Sequence, residues 1–219
     1  MNTKKDKQKV INTNIKIDPN DKRIFIALHK GAGDFIAKLM KFEQRGPYTH
    51  SEIIVMSEGK SYSSSGRDKG VRSKDIREMN FHDDSKWDLY QITIDDNYDI
   101  TPFLDFFTKH EDSKYAMSDI VFYHILRMSI KIDRNRFICS DFCNIGLEKI
   151  LATISNDKRI EKLWYNKEFE YSRKNSYKYS PCNMALKFIR YNLMEYRNNN
   201  DIFLWPKKED TQVETKSTF

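Results

Sequence analysis

Cys139 is the residue whose type and setting most invite chemistry. It stands in Arg136-Phe137-Ile138-Cys139-Ser140-Asp141-Phe142, where an extended stretch meets a predicted helix with Phe142, Cys143, Leu147 and Ile150 near one stripe. A thiol at a helix N-terminus lies in the positive end of the peptide dipole, which favours the thiolate. The first-turn N–H groups there have no acceptor within the helix and can hold an oxyanion. An isolated cysteine can equally be a small buried hydrophobe, so a nucleophilic role requires a base. The chain has five histidines, His29, His50, His82, His110 and His124. His50 is the best placed, because it opens a predicted strand directly after the Gly46-Pro47 turn and so sits at a strand end, both rigid and accessible. His29, at the end of the first predicted strand, is the second choice. His82 and His110 fall in charged segments, and His124 falls in an aromatic helix.

A Cys-His pair is usually completed by a group that orients the imidazole. Glu52 lies two residues beyond His50 and therefore on the same face of a strand. Ser63 or Ser64, on the partner strand of a predicted hairpin, is the other source of an orienting group. Glu52 is the preferred orienter and Ser64 the alternative. Phe81, Trp87, Phe122 and Tyr123 can line an acyl or peptide groove, although aromatics at such spacing are more often core.

The elements that must position these groups are mixed. A strand is predicted at Arg23-Ile24-Phe25-Ile26-Ala27-Leu28, then a turn at Gly31-Ala32-Gly33 and a helix capped by Asp34 that carries Phe35, Ile36, Leu39 and Met40. His50 to Met56 and Ser61 to Ser64 read as a hairpin about Ser57-Glu58-Gly59-Lys60, followed by a loop from Gly66 to Gly70. Trp87 to Ile92 is a further strand. Thr101-Pro102 opens a helix with Thr as cap, Ser118 to Met128 forms another, and Ser180-Pro181 opens a last one through about Tyr196. Residues 153–179 carry no clear period. The order predicts an α+β fold with a small antiparallel sheet packed against helices.

Composition narrows the function classes. The 219 residues carry a formal net charge of +6, of which +4 falls in residues 1–23, where seven Lys/Arg stand against three Asp. That stretch reads as a flexible basic arm (1–22), followed by one domain (23–205) and a frayed tail (206–219). The remainder lacks the basic excess of a nucleic-acid binder, so no specific nucleic-acid partner is expected. No apolar run reaches membrane-spanning length and no apolar leader follows Met1, which leads us to expect a soluble, cytoplasmic protein. Three cysteines cannot build a disulfide framework, and one thiol stays free whatever the pairing.

Taken together, several motifs resemble the circularly permuted NlpC-type papain-like cysteine hydrolases, in the YiiX-like branch that includes poxviral and phage-encoded members. They are Tyr48-Thr49-His50-Ser51-Glu52-Ile53-Ile54-Val55, Tyr62 to Arg72 with Gly70-Val71, Lys114-Tyr115, Phe137-Ile138-Cys139-Ser140-Asp141-Phe142-Cys143, and Ser180-Pro181. The likeness spans roughly residues 23–190. It rests on order as well as identity, since His50 precedes Cys139, the reverse of unpermuted relatives. Two positions depart from the pattern: Glu52 stands where many members have Gly, and Ala116 where Asp usually follows the tyrosine. The resemblance implies a papain-like fold, Cys139 as nucleophile, His50 as general base, and Tyr115 near the oxyanion region, with Ser140 as a further oxyanion or substrate-site candidate. It implies covalent acyl transfer on a peptide, amide, ester or lipid-acyl substrate without a cofactor.

Three other classes compete with this reading. One is a catalytically degenerate module on the same fold, and a lipid acyltransferase is a variant of the enzyme reading. A zinc site from Cys139, Cys143 and Cys182 lacks a second Cys/His pair at a standard metal spacing. A nucleic-acid binder is disfavoured by where the charge lies.

Overall fold

The computed structural model describes residues 15–31, 46–116, 136–165 and 180–202. The predicted helices at Asp34 and at Ser118 to Met128, residues 1–14 of the basic arm, the C-terminal tail, and His124, Phe122 and Tyr123 lie outside them.

The chain forms an eight-stranded sheet in the order β7-β6-β4-β3-β2-β1-β5-β8. The strands are β1 (Ile24–His29), β2 (His50–Val55), β3 (Lys60–Ser65), β4 (Gly70–Asp75), β5 (Trp87–Ile92), β6 (Lys114–Tyr115), β7 (Arg136–Phe137) and β8 (Met194–Arg197). Every pairing is antiparallel except that of β6 with β7. The helices are α1 (Thr101–His110), α2 (Cys139–Leu151), α3 (Lys158–Tyr165), α4 (Pro181–Arg190) and the short α5 (Asn199–Ile202). This is an α+β architecture.

Strand alternation divides the apolar residues between two cores. Ile24, Ile26, Leu28, Ile53, Val55, Tyr62 and Val71 face one side, where they meet Phe103, Phe142, Leu147, Met184 and Phe188 from the helices. Phe25, Ala27, Ile54, Trp87 and Leu89 face the other, covered by Ile15, Ile76 and Phe81. The central strands β1 and β2 are buried on both faces; β1 reads as a near-continuous apolar run, and β2 as one from Ile53 onward. Their prediction from sequence was accordingly close.

Helix α2 is seated by a glycine. A Cβ on Gly146 would come within 2.7 Å of Ile53 Cδ1 and 2.8 Å of the Phe103 ring, so the backbone of α2 approaches β2 and α1 as only glycine permits. Gly146→Ala is expected to destabilise the fold by about 1–3 kcal/mol, measured by denaturant unfolding, because both neighbours are wedged in a packed core. An unchanged midpoint would show that the contact relaxes freely.

Several boundaries differ from the sequence reading. The sheet is large, not small, since β4, β6, β7 and β8 were not anticipated. Helix α4 ends at Arg190, and residues 194–197, expected to continue it, pair with β5 instead. Asn192 adopts φ +54° between them, and the backbone turns there. Thr101 is not the cap of α1: Ile100 holds that position without a side-chain bond, and the Asp99 carboxylate accepts the Thr101 N–H at 2.8 Å. Ser180 does cap α4, accepting the Asn183 N–H at 3.1 Å, with Pro181 in the first turn. Ile15 is buried and Ile17 packs beside it, so this part of the expected arm belongs to the folded body. Helix α3 forms in the stretch without clear period, burying Ile160 and Leu163.

Candidate active site

Two local sequences bring the central pair together. In the first, Ile138 is extended and lends no side-chain cap to α2, so the helix begins directly at Cys139 with its dipole and first-turn N–H groups at the sulfur. In the second, β2 opens at His50, paired with His29 of β1. The imidazole and the thiol lie close enough for each to act on the charge of the other, and the Ser51 backbone N–H acts on the Cys139 sulfur as well.

Electrostatics at this contact favours an ion pair. Burial alone would raise the Cys139 thiol and is the largest single influence, but the His50 charge and hydrogen bond, with Ser51, outweigh it and bring the thiol below its ordinary value. Burial likewise opposes the His50 cation. The Cys139 charge, then the hydrogen bonds to Cys139 and Glu52, reverse that effect and raise the imidazole to about 9. Each group thus favours the charged form of the other. The imidazole retains 21% of its side-chain surface.

Glu52 is the group on the far side of the ring. Its Oε1 lies 3.2 Å from His50 Nε2, which leaves Nδ1 for the thiol. Only 1% of its side chain is exposed. Burial works against its charge, yet hydrogen bonds from His50 and Arg72 hold the carboxyl well below the usual carboxylate range.

Arg72, to which the sequence reading gave no role, meets Glu52 with two hydrogen bonds, NH2 to Oε1 at 2.6 Å and NH1 to Oε2 at 3.1 Å. The pairing Ser63↔Arg72, with Ile53↔Tyr62 one step away, puts Glu52, Ser63 and Arg72 in a row across three strands. A bare serine in the middle lets the guanidinium reach across. A signal existed in the alternation of β4, but Gly70–Asp75 is too polar to announce itself as a strand.

Ser64 points to the opposite face from Ser63 and donates to the Phe137 carbonyl at 2.7 Å. It fixes the backbone two residues before Cys139 and does not contact the imidazole as an orienter would. Ser63 donates to the Ser51 carbonyl at 2.7 Å. Tyr115 of β6 is near enough for the Cys139 charge to act on it: burial first, then that charge, raise its phenol. Ser140 is completely buried, so its hydroxyl is not presented at the surface.

Of the remaining candidates, His29 and Trp87 lie beside His50: His29 is its cross-strand partner, and the Trp87 ring meets the imidazole edge-on with centroids 6.4 Å apart. His29 packs edge-on to Trp87 with centroids 4.7 Å apart, and His110 packs against Phe106 and Phe137. Burial lowers the imidazoles of His82 and His110. Phe81 and Trp87 are core residues, in T-shaped contact with each other, so they do not line an open groove. Cys143 lies one turn into α2, where burial raises its thiol well above the ordinary value. Cys182 directs its sulfur to the Tyr48 carbonyl at 3.9 Å. All three cysteines are free thiols, and among the described residues no group of three or more His, Cys, Asp or Glu could hold a metal ion.

A second polar cluster holds the segment that precedes His50. Tyr48 donates to Asp88 at 2.8 Å, its hydroxyl lies 3.1 Å from that of Tyr90, and Lys30 bonds Asp88 at 2.7 Å. These contacts tie the segment preceding His50 to β1 and β5. Among the described residues, no helix is long and apolar enough to cross a membrane.

No protein-family model matches the chain, and no curated protein matches it significantly.

Proposed function

We propose that the protein is a cysteine hydrolase acting by covalent acyl transfer through Cys139 and His50, with Glu52 orienting the imidazole. The observation that carries this reading is a thiol at the first residue of a helix, beside an imidazole whose Nε2 is held by a buried carboxylate at 3.2 Å. Each partner shifts the other toward the charged form, as an activated nucleophile requires.

The Cys139 thiolate attacks a carbonyl carbon, the C–S bond forms, and the carbonyl π pair moves to oxygen. First-turn N–H groups of α2, with the Tyr115 hydroxyl nearby, stabilise that oxyanion. The pair returns, the bond to the leaving nitrogen, oxygen or sulfur breaks, and His50 supplies that atom's proton. Neutral His50 then accepts a proton from water, which attacks the thioester and releases the acid and the free thiolate. The acyl donor is a peptide, amide, ester or thioester, including a lipid acyl ester.

The test is to trap the thioester. The folded protein is mixed with p-nitrophenyl esters of short and long acyl chains, a peptide anilide and an acyl thioester, quenched in acid, and weighed intact. An acyl adduct mapped to Cys139 and lost in Cys139→Ser is expected. No Cys139 adduct from any donor, or one formed equally by denatured protein, would contradict the reading.

A further inference from the structure

The charged groups behind the imidazole form a chain of alternating sign. From the nucleophile outward it runs Cys139, His50, Glu52, Arg72, Asp68 and Lys74. Arg72 grips Glu52 with two bonds and gives its Nε to Asp68 at 2.9 Å, and Lys74 bonds both Asp68 oxygens at 2.8 Å. Exposure rises along it, from 1% for the Glu52 side chain and 13% for Arg72 to 27% for Asp68 and 33% for Lys74.

We infer that Arg72 is a positioning residue for the proposed acyl transfer, its forked grip fixing Glu52 in the one orientation that presents Oε1 to His50, with Asp68 holding the fork in place. The inference rests on the Cys139–His50 reading above. A carboxylate buried to this degree, held by the imidazole alone, would rotate or take up a proton. The planar guanidinium prevents both, because two parallel bonds define the carboxylate plane as well as its charge. A lysine can replace the charge but not the plane.

The groups facing Glu52 are few. His50 lies on its own strand, Arg72 on β4 with Asp68 and Lys74 behind it, and Cys139 and Cys143 come from α2. Cys143 stays a neutral thiol, held so chiefly by burial. The ionisation of Cys139 therefore reads the state of Glu52 through His50.

The experiment is the pH dependence of Cys139 alkylation by iodoacetamide, followed by intact mass, in the full chain and in Arg72→Gln, Arg72→Lys and Asp68→Asn. Both Arg72 variants are expected to move the acid limb upward, Gln by about one pH unit, which is about threefold in rate at a pH on the limb because the more basic thiolate is also the better nucleophile, and Lys by less. Asp68→Asn, at a partly exposed turn, is expected to move it in the same direction by the smallest amount. Circular dichroism establishes which variants fold. Arg72→Lys folded with a wild-type limb would overturn the inference, since charge without the fork would then suffice. Should neither Arg72 variant fold, an unmoved limb in Asp68→Asn overturns it. A reactive wild-type thiol with unmoved variants defeats only the role of Arg72, whereas an inert wild-type thiol defeats the acyl-transfer reading itself.

Discussion

His50→Ala is expected to leave the protein folded and to slow acyl transfer at Cys139 by about 10²- to 10⁴-fold, the range a positioned acid–base group supplies. Folding should survive because His50 sits at the first residue of β2 with part of its ring exposed, and its removal leaves Glu52 paired with Arg72. Chemistry should not survive, because the substitution removes the cation that holds the thiol ionised and the acid that protonates the leaving group. Burial, the strongest influence on Cys139, then acts with less opposition and the thiol rises. The check is the rate of thioester formation beside a thermal melt. A folded variant with undiminished acylation would assign the activity to another base.

Glu52→Gln is the second large effect and differs in kind. The amide keeps the volume but removes the charge, so Arg72 loses its buried counter-ion and keeps only the partly exposed Asp68, a loss below the roughly 3–5 kcal/mol of breaking a fully buried pair. Activity is expected to fall by roughly 10²- to 10⁴-fold, because the ring loses both its tautomer and its orientation. The two replacements also separate by pH. In the wild type the alkaline limb of the proposed turnover is expected to follow the His50 imidazole, raised to about 9. With Glu52 neutral that limb is expected to move downward, since one of the partners that stabilise the cation is gone. Stability follows the same logic with the opposite sign. The Glu52 carboxyl lies below its unfolded value, so its contribution is complete above the ordinary carboxylate range and is lost as the solution is acidified through the folded value. The Gln variant should lack that part of the acid dependence, measured as denaturant midpoints from neutral pH downward.

The site was more legible in the sequence than the fold around it. His50 and Glu52 follow from strand period alone: two residues apart, they share a face whatever the sheet does. Cys139 follows from the change between an extended stretch and a helix. Both signals are local, and long-range packing only had to bring two well-marked ends together. The opposite holds for Arg72 and Ser64. Their roles depend on the register of β2 with β3 and of β3 with β4, which a run such as Ser63-Ser64-Ser65 does not display because one slip exchanges their faces. The outer strands were missed for a related reason. Gly70–Asp75 and Met194–Arg197 bury only their first residues, and β6 and β7 have two residues each, too few for a period to show. Residues 194–197 also follow α4 closely, and their helix-compatible composition hides the turn at Asn192 that sends them back along β5.

The most direct test of the account is the pH profile of Cys139 carboxamidomethylation in the wild type and His50→Ala. A thiol ionised by its imidazole should react faster than an ordinary thiol on the acid side of neutrality. Each tenfold gain in thiolate fraction should appear as about a threefold gain in rate, because a less basic sulfur is also a weaker nucleophile. The predicted wild-type profile therefore begins to rise at lower pH than that of an ordinary thiol and rises again as His50 loses its proton near pH 9. His50→Ala should show one late rise. A wild-type profile with a single rise at the position of an ordinary thiol, unchanged by His50→Ala, would contradict the paired thiolate and imidazolium on which the proposed activity rests.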